Sequence, residues 1–229
     1  MMPGPKGRNT DRLAMYREMQ RAVPGLDGMY RLLQALIASL ETEAPRVLIV
    51  GAGGGRELGE LANGHVAGQI TAIDPSAKNL DLARVVVQKP GLSPEVRFLV
   101  GTVDAVPKGE TFDVVTSMLV MHHLKDDGTK LAYLKGLRER LAPGGHLIHA
   151  DVCFDQPEEF DQLVPLYLAH AHISGVTPEA TRLERDAIPN LSVVSGARTR
   201  DLFAEVGLTE PFEVFRSLWY RCWISSGQS

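Results

Sequence analysis

The chain has 229 residues, enough for one α/β domain with additions or at most two small domains. Hydrophobic residues are 44% and charged residues 23%, an ordinary globular balance that can bury a core without disulfides or metal. The net charge of −4, with no basic tract, argues against a broad nucleic-acid footprint.

Residues 1–9, rich in Pro, Gly and Lys, read as a loose tail without the apolar core of a signal peptide. Thr10–Ala22 has helical character, with Thr10 or Asp11 as its N-cap, and VPGLDG (Val23–Gly28) breaks it. Met29, Leu32, Leu33, Leu36, Ile37 and Leu40 then recur at helical spacing, which predicts an amphipathic helix ending near Glu41.

From Arg46 the pattern changes. RVLIVG is a continuous apolar run closed by glycine, as expected of a strand buried on both faces. A short helix over Arg56–Ala62 follows, then the strand QITAID (Gln69–Asp74) and a helix over Ser76–Gln88. EVRFLVG (Glu95–Gly101) and FDVVTSM (Phe112–Met118) are further strands. The helix over Gly128–Leu141 is predicted to stop at PGG (Pro143–Gly145), before the strand HLIHADV (His146–Val152). This alternation implies a doubly wound, mostly parallel sheet. Residues 153–195 interrupt it with helical stretches over Phe160–Ile173 and Pro178–Arg185. A helix over Ser195–Val206 ends at Gly207, and the aromatic, β-branched run Phe212–Ile224 gives one or two strands. The expected organisation is a single domain: tail 1–9, N-terminal helical cap 10–42, core 46–152, helical insertion or lid 153–195, and closing helix and strands 196–229.

The turn GAGGG (Gly51–Gly55) follows a strand and opens a helix. Glycines there let backbone approach a ligand, and the helix N-terminus offers free N–H groups and positive potential. Asp74 ends the next strand, about twenty residues on, where a ribose-binding acid belongs. The combination points to a nucleoside-containing ligand. A dinucleotide fits poorly, because Arg56 stands where that fingerprint needs a small residue for tight helix–strand packing.

The spacing Gly51, Gly53, Gly55 resembles that of class I S-adenosylmethionine-dependent methyltransferases, with their Rossmann-like fold. VLIVGAGGG resembles their first motif, and ITAIDPSAKNLDLAR their second strand, its acid and the following helix. FLVGTVDAVP resembles the adenine-side loop, FDVVTSMLVMHHL the fourth strand and its exit, and LRERLAPGGHLIHADV the helix, turn and fifth strand. The resemblance covers roughly residues 46–152. It implies a seven-stranded sheet with the last strand antiparallel, S-adenosylmethionine as cofactor, and S-adenosylhomocysteine as product. It places Gly51, Ala52 and Gly53 under the methionine portion and gives the ribose hydroxyls to Asp74, with Pro75 beside it. Val103 would offer a backbone N–H to adenine next to Thr102, and Ser117 and Met118 would line the methyl-donor side. Two positions depart from the pattern. Ile49 replaces an acid common two residues before the first glycine, and Thr102 replaces one common after the glycine of the adenine loop.

His122 and His123 follow the fourth strand, and His122 is a candidate general base. A histidine pair is common there in the family, and capping or structural roles compete. Tyr167 and His170 share a face of the insertion and are candidates for a substrate lid, or for packing a surface helix. His172 points elsewhere, so the two histidines make a poor metal pair, and no metal is expected. Tyr16 is a candidate cover for the cofactor and substrate. Trp219, Tyr220 and Trp223 fit core packing better than stacking on a substrate. Cys153 and Cys222 lack zinc spacing and suit a reducing compartment.

The expected activity is direct methyl transfer to a small-molecule acceptor by a cytoplasmic monomer or homodimer without a membrane span. A tRNA-modifying relative and a non-catalytic protein of the same fold are the alternatives. The former would need a basic surface beside the pocket; Ile49 and Thr102 favour the latter.

Overall fold

The computed structural model describes residues 14–64, 66–87 and 95–228. Helical turns over residues 14–21 (α1) precede α2 (Leu26–Ala38). The chain continues through β1 (Arg46–Val50), α3 (Arg56–Gly64), β2 (Gln69–Asp74), α4 (Ala77–Val87), β3 (Glu95–Val100) and β4 (Phe112–Met118). It then runs through α5 (Thr129–Arg138), β5 (Leu141–Val152), α6 (Glu159–Ile173), α7 (Pro178–Ala187), α8 (Gly196–Glu205), β6 (Phe212–Ser217) and β7 (Tyr220–Ser226).

One sheet of seven strands has the order β3-β2-β1-β4-β5-β7-β6. β1, β2, β3, β4 and β5 run parallel, and β7 pairs antiparallel with both β5 and β6. The seven strands and antiparallel final strand are those that the family resemblance implies. Side chains alternate between the two faces of each strand, so both faces must be covered. On one face Ile49, Val114 and Ile148 meet Leu33 of α2, Leu58 and Leu61 of α3, Leu80 of α4, and Tyr167 of α6. On the other, Leu48, Val115 and Leu147 meet Leu134 and Leu137 of α5 and Leu202 and Phe203 of α8. The chain leaves β1 for β2 on one side and later returns to β4 on the other. That reversal opens a crevice at the carboxyl ends of β1 and β4, where ligands of open α/β sheets bind.

Two expectations are corrected. The helix after β4 does not run to the PGG turn: α5 ends at Arg138, and Leu141 already pairs with Phe112. Pairing resumes at Val114 with His146, so residues 142–145 bulge from the ladder. Pro143 has no N–H to give the ladder, and Gly144 takes φ +74, so PGG marks an irregular strand rather than a helix stop. The break between the first two helices is also shorter than predicted. Gly25 adopts φ +71 and Leu26 already opens α2, which ends at Ala38 rather than near Glu41. The proposed caps Thr10 and Asp11 lie outside the described residues.

The insertion leaves and rejoins the core at one point, where Cys153 bridges Val194. Among the described residues, no helix is long and apolar enough to cross a membrane.

Candidate active site

The glycine turn is built by three different constraints. Gly51 has φ +77, and a Cβ there would lie 2.5 Å from Val120 Cγ2, so the exit of β4 packs directly on it. Gly55 has φ +83, and a Cβ there would lie 2.8 Å from Ala83 Cα, so it sets the close approach of α3 to α4. Gly53, at φ +50, has free space on its Cβ side, with Gly51 O the nearest atom at 3.7 Å. Only Gly53 therefore keeps an open side that a ligand can approach.

Asp74 is buried at the end of β2 and faces this turn. Its Oδ2 accepts from Gly53 N–H at 2.9 Å, and its Oδ1 accepts from Ser76 N–H at 2.8 Å and Asn79 Nδ2 at 3.1 Å. A carboxylate has about four acceptor sites, so Oδ2 keeps room for a hydroxyl donor. Pro75 and Thr102 are exposed beside it. Val103 packs its side chain toward Gly136 of α5, where a Cβ would meet Val103 Cγ1 at 2.8 Å, which leaves only its backbone for ligand contact. Ala52 and Met118 are buried at the crevice floor. Ser117 points to the opposite face, where its hydroxyl lies 2.7 Å from Tyr133 Oη. Gly51, Ala52, Gly53, Asp74, Pro75, Thr102, Val103 and Met118 thus gather at the carboxyl ends of β1, β2, β3 and β4. The Ser117 hydroxyl is turned away.

The exit of β4 is strained. Leu119 adopts φ +61, unusual for a bulky residue, and its N–H bonds Ala150 O at 2.7 Å. This kink drives Val120 onto Gly51 and starts the turn Met121–His123. His122 is buried there and hydrogen-bonds through Nδ1 with Asp151 Oδ1 near the end of β5. Asp151 Oδ1 also accepts from Val152 N–H at 2.9 Å, and its Oδ2 lies 4.0 Å from His149 Nε2. His149 is fully buried between Phe203 and Trp223, and burial pushes its pKa down to about 4, so it is neutral at physiological pH. Lys130 of α5 is also fully buried and donates from Nζ to Met121 O at 2.7 Å, which pins the turn. Burial lowers its pKa, while Asp151 and Asp126 oppose the shift. His123 is partly open to solvent, and its pKa is lowered mainly by desolvation of the covered part of the ring and next by His122.

A cover lies over the α2–α3 face. Arg56 donates from Nη1 to Gln20 Oε1 of α1 at 3.0 Å, pairs with Asp27 of α2, and stacks 4.6 Å from the Tyr30 ring centre. Tyr16 is 44% exposed, and its hydroxyl, near Gln20 and Glu184, is pushed up to about 12, mainly by burial. Glu184 of α7 accepts from Tyr220 Oη, and its pKa is raised mainly by burial. His170 Nδ1 lies 2.9 Å from Ala22 O and ties α6 to the N-terminal segment. Tyr167 is fully buried against Trp219, with ring centres 5.1 Å apart, and donates to Thr181 O at 3.3 Å. It is a core residue of the insertion. Its helical face showed in the sequence, but its depth depends on Trp219, far along the chain.

Nothing in the sequence pattern marks Glu57. This residue of the first turn of α3 is 4% exposed and accepts from Thr116 Oγ1 at 2.7 Å. Burial pushes its pKa up to about 8. Asp151, Lys130 and His149 also went unmarked; the HADV end of β5 was the available signal for two of them. Two open cavities lie elsewhere. One, of about 400 Å³, is lined by His172, Thr181 and Arg185 between α6 and α7. The other, of about 420 Å³, lies at the amino ends of the strands, by Asp113 and His146. Strand ends, not cavity size, locate the site. Among the described residues, no group of three or more His, Cys, Asp or Glu side chains is placed to hold a metal ion.

Residues 47–145 match a family described as a methyltransferase domain. Over 113 residues the chain is 34% identical to the ubiquinone biosynthesis O-methyltransferase of Cereibacter sphaeroides (strain ATCC 17025), a match covering 49% of this chain and 43% of that protein. The match thus spans less than half the length of that curated relative. Among solved structures, an O-methyltransferase family protein from Burkholderia thailandensis superposes with a TM-score of 0.62 at 16% identity, covering 89% of this chain and 57% of that one. The CurJ carbon methyltransferase superposes with a TM-score of 0.64 at 15% identity, covering 92% and 57%. The sheet order, the glycine turn and the acid at the end of β2 agree with these matches: residues 47–145 are similar to a methyltransferase domain, and the chain has the class I methyltransferase fold.

Proposed function

We propose that the chain methylates a hydroxyl of a small-molecule acceptor, with S-adenosylmethionine as donor and His122 as general base. The observation that carries this reading is the buried His122–Asp151 pair at the carboxyl ends of β4 and β5, beside the glycine turn. The residues present suit the cofactor. Gly53 has an open side, Asp74 Oδ2 has spare acceptor capacity, and Val103 has only backbone to offer. In this reading the Gly51–Gly53 turn and Met118 hold the methionine portion, Asp74 the ribose, and Thr102–Val103 the adenine. When bound, S-adenosylmethionine supplies an electrophilic methyl group on a sulfonium and leaves as S-adenosylhomocysteine.

The protein's own part is positioning and proton removal. Asp151 accepts the Nδ1 proton of His122, which fixes the tautomer whose Nε2 has a free lone pair. That nitrogen takes the proton of an acceptor hydroxyl, a step worth about 10²–10⁴ in rate. α1, α6 and α7 serve as the lid that excludes water and selects the acceptor. The hydroxyl acceptor is supported by the curated relative's name, an O-methyltransferase. A cytoplasmic setting is supported by two free, buried cysteines.

The test is calorimetric titration with S-adenosylmethionine and S-adenosylhomocysteine, followed by assay of S-adenosylhomocysteine release with a panel of small phenols and alcohols. His122→Ala is expected to bind the cofactor as the wild type does and to lose turnover. Absence of cofactor binding, or full activity of His122→Ala, overturns the reading.

A further inference from the structure

Among the described residues, Glu57 is a buried carboxyl with no ion-pair partner. It sits one residue inside α3, two after the last glycine of the turn, and its one hydrogen bond is to Thr116 Oγ1 of β4 at 2.7 Å. Thr116 pairs in register with Ile49 of β1, the position that lacks the expected acid. A carboxyl therefore does stand over this part of the sheet, delivered from the helix rather than from the strand. The groups around it are Tyr16 of α1, Tyr30 of α2, Tyr133 of α5 and Cys222 of β7, each of which registers the charge of Glu57. None is a cation. The nearest cation in sequence, Arg56, is committed outward to Asp27, Gln20 and the Tyr30 ring. A buried acid with one neutral partner is costly to ionise, and evolution has alternatives as simple as Gln or Leu at such a place.

We propose that Glu57 is a cation-receiving residue of the cofactor site, neutral in the free protein and ionised when S-adenosylmethionine brings its positive charge. This rests on the reading of the crevice as an S-adenosylmethionine site. The donor carries a sulfonium and an ammonium, and either cation would replace the missing counter-charge. The proton on Glu57 then leaves to solvent, so binding and proton release are coupled. In the free protein the carboxyl is mostly protonated at pH 7, since burial holds its pKa near 8. Affinity therefore rises with pH, up to about tenfold per unit, and levels off once Glu57 is already ionised above about pH 8.

The experiment is calorimetric titration of the whole chain with S-adenosylmethionine at pH 7.0 in phosphate and in Tris, whose ionisation heats differ. The difference counts the protons exchanged. The expected result is release of nearly one proton by the wild type, fading above pH 9, and none by Glu57→Gln. Binding without proton release, or unchanged release in Glu57→Gln, overturns the proposal and leaves the cofactor reading standing. No binding at all overturns both. If Glu57→Gln does not fold, the pH dependence of release by the wild type decides: release that persists unchanged above pH 9 rules out a group with Glu57's titration range.

Discussion

Arg56 Nη1 donates to Gln20 Oε1 at 3.0 Å, so the helix that opens at the glycine turn also holds the N-terminal helix in place. The same guanidinium pairs with Asp27 and covers Tyr30. Arg56→Met removes the fork and is expected to cost about 1–2 kcal/mol, since Asp27 is largely exposed and solvent screens its pair with Arg56. The clearer readout is limited proteolysis: cleavage near residues 14–21 should accelerate several-fold. Arg56→Lys should recover little, because an ammonium cannot bridge Gln20 and Asp27 while stacking on a ring. Unchanged proteolysis in Arg56→Met would show that α1 is held by other contacts.

Asp74→Ala strips partners from Gly53 N–H, Ser76 N–H and Asn79 Nδ2 at once. The expected cost is about 1–3 kcal/mol in stability and at least a tenfold loss of S-adenosylhomocysteine affinity. Asp74→Asn keeps the shape and should fall between the two in both measurements. Equal affinity in all three proteins would remove Asp74 from the site.

Glu57 also predicts a stability profile. Its pKa is about 8 when folded and about 4.5 when unfolded, so the unfolded chain binds fewer protons between those values. Stability should therefore be fullest below pH 4.5 as far as this group is concerned, fall as pH rises, and flatten above 8. The total loss is on the order of 5 kcal/mol. Glu57→Gln should remove this slope and be the more stable protein at pH 8.5 by urea denaturation. Parallel wild-type and variant curves from pH 6 to 8.5 would refute it.

Gly55→Ala combines two penalties: a backbone at φ +83 and a Cβ 2.8 Å from Ala83 Cα. A loss of about 3 kcal/mol is expected, read as a lower Tm. Gly53→Ala has the positive φ but free space, and should cost about 1 kcal/mol. Equal losses at the two positions would contradict this division of roles.

Asp151→Asn should retain the fold and S-adenosylhomocysteine binding but lose turnover by a hundredfold or more, because the amide no longer selects the His122 tautomer. Turnover within threefold of wild type would make the pair structural.

The strands were legible because a parallel sheet covered on both faces demands unbroken apolar runs, and RVLIV and QITAID supply them. The glycine turn and Asp74 stood out because both lie at the carboxyl ends of neighbouring strands, where the Gly53 N–H reaches Asp74 Oδ2. Arg56 is a poor fit to the dinucleotide fingerprint, and its side chain instead holds the cap, while Gly55 sets the close approach of α3 to α4. Glu57 was invisible because an acid in the first turn of a helix is ordinarily solvated; its burial depends on Thr116, which lies 59 residues away. PGG misled because the same residues that stop helices also interrupt strands. Tyr167 and His170 share a helical face, yet one meets Trp219 and the other Ala22, contacts set by distant parts of the chain.

The cover joins the two ends of the sequence. Ser217 Oγ donates to Pro24 O at 2.5 Å, a contact spanning 193 positions, and Thr177 N–H donates to the Glu18 carboxylate at 2.8 Å across 159. During synthesis the first helices emerge long before the hairpin and insertion that hold them. The crevice at the glycine turn therefore stays roofless until the last strands have left the ribosome, and an encounter with ligand before then would meet half a site.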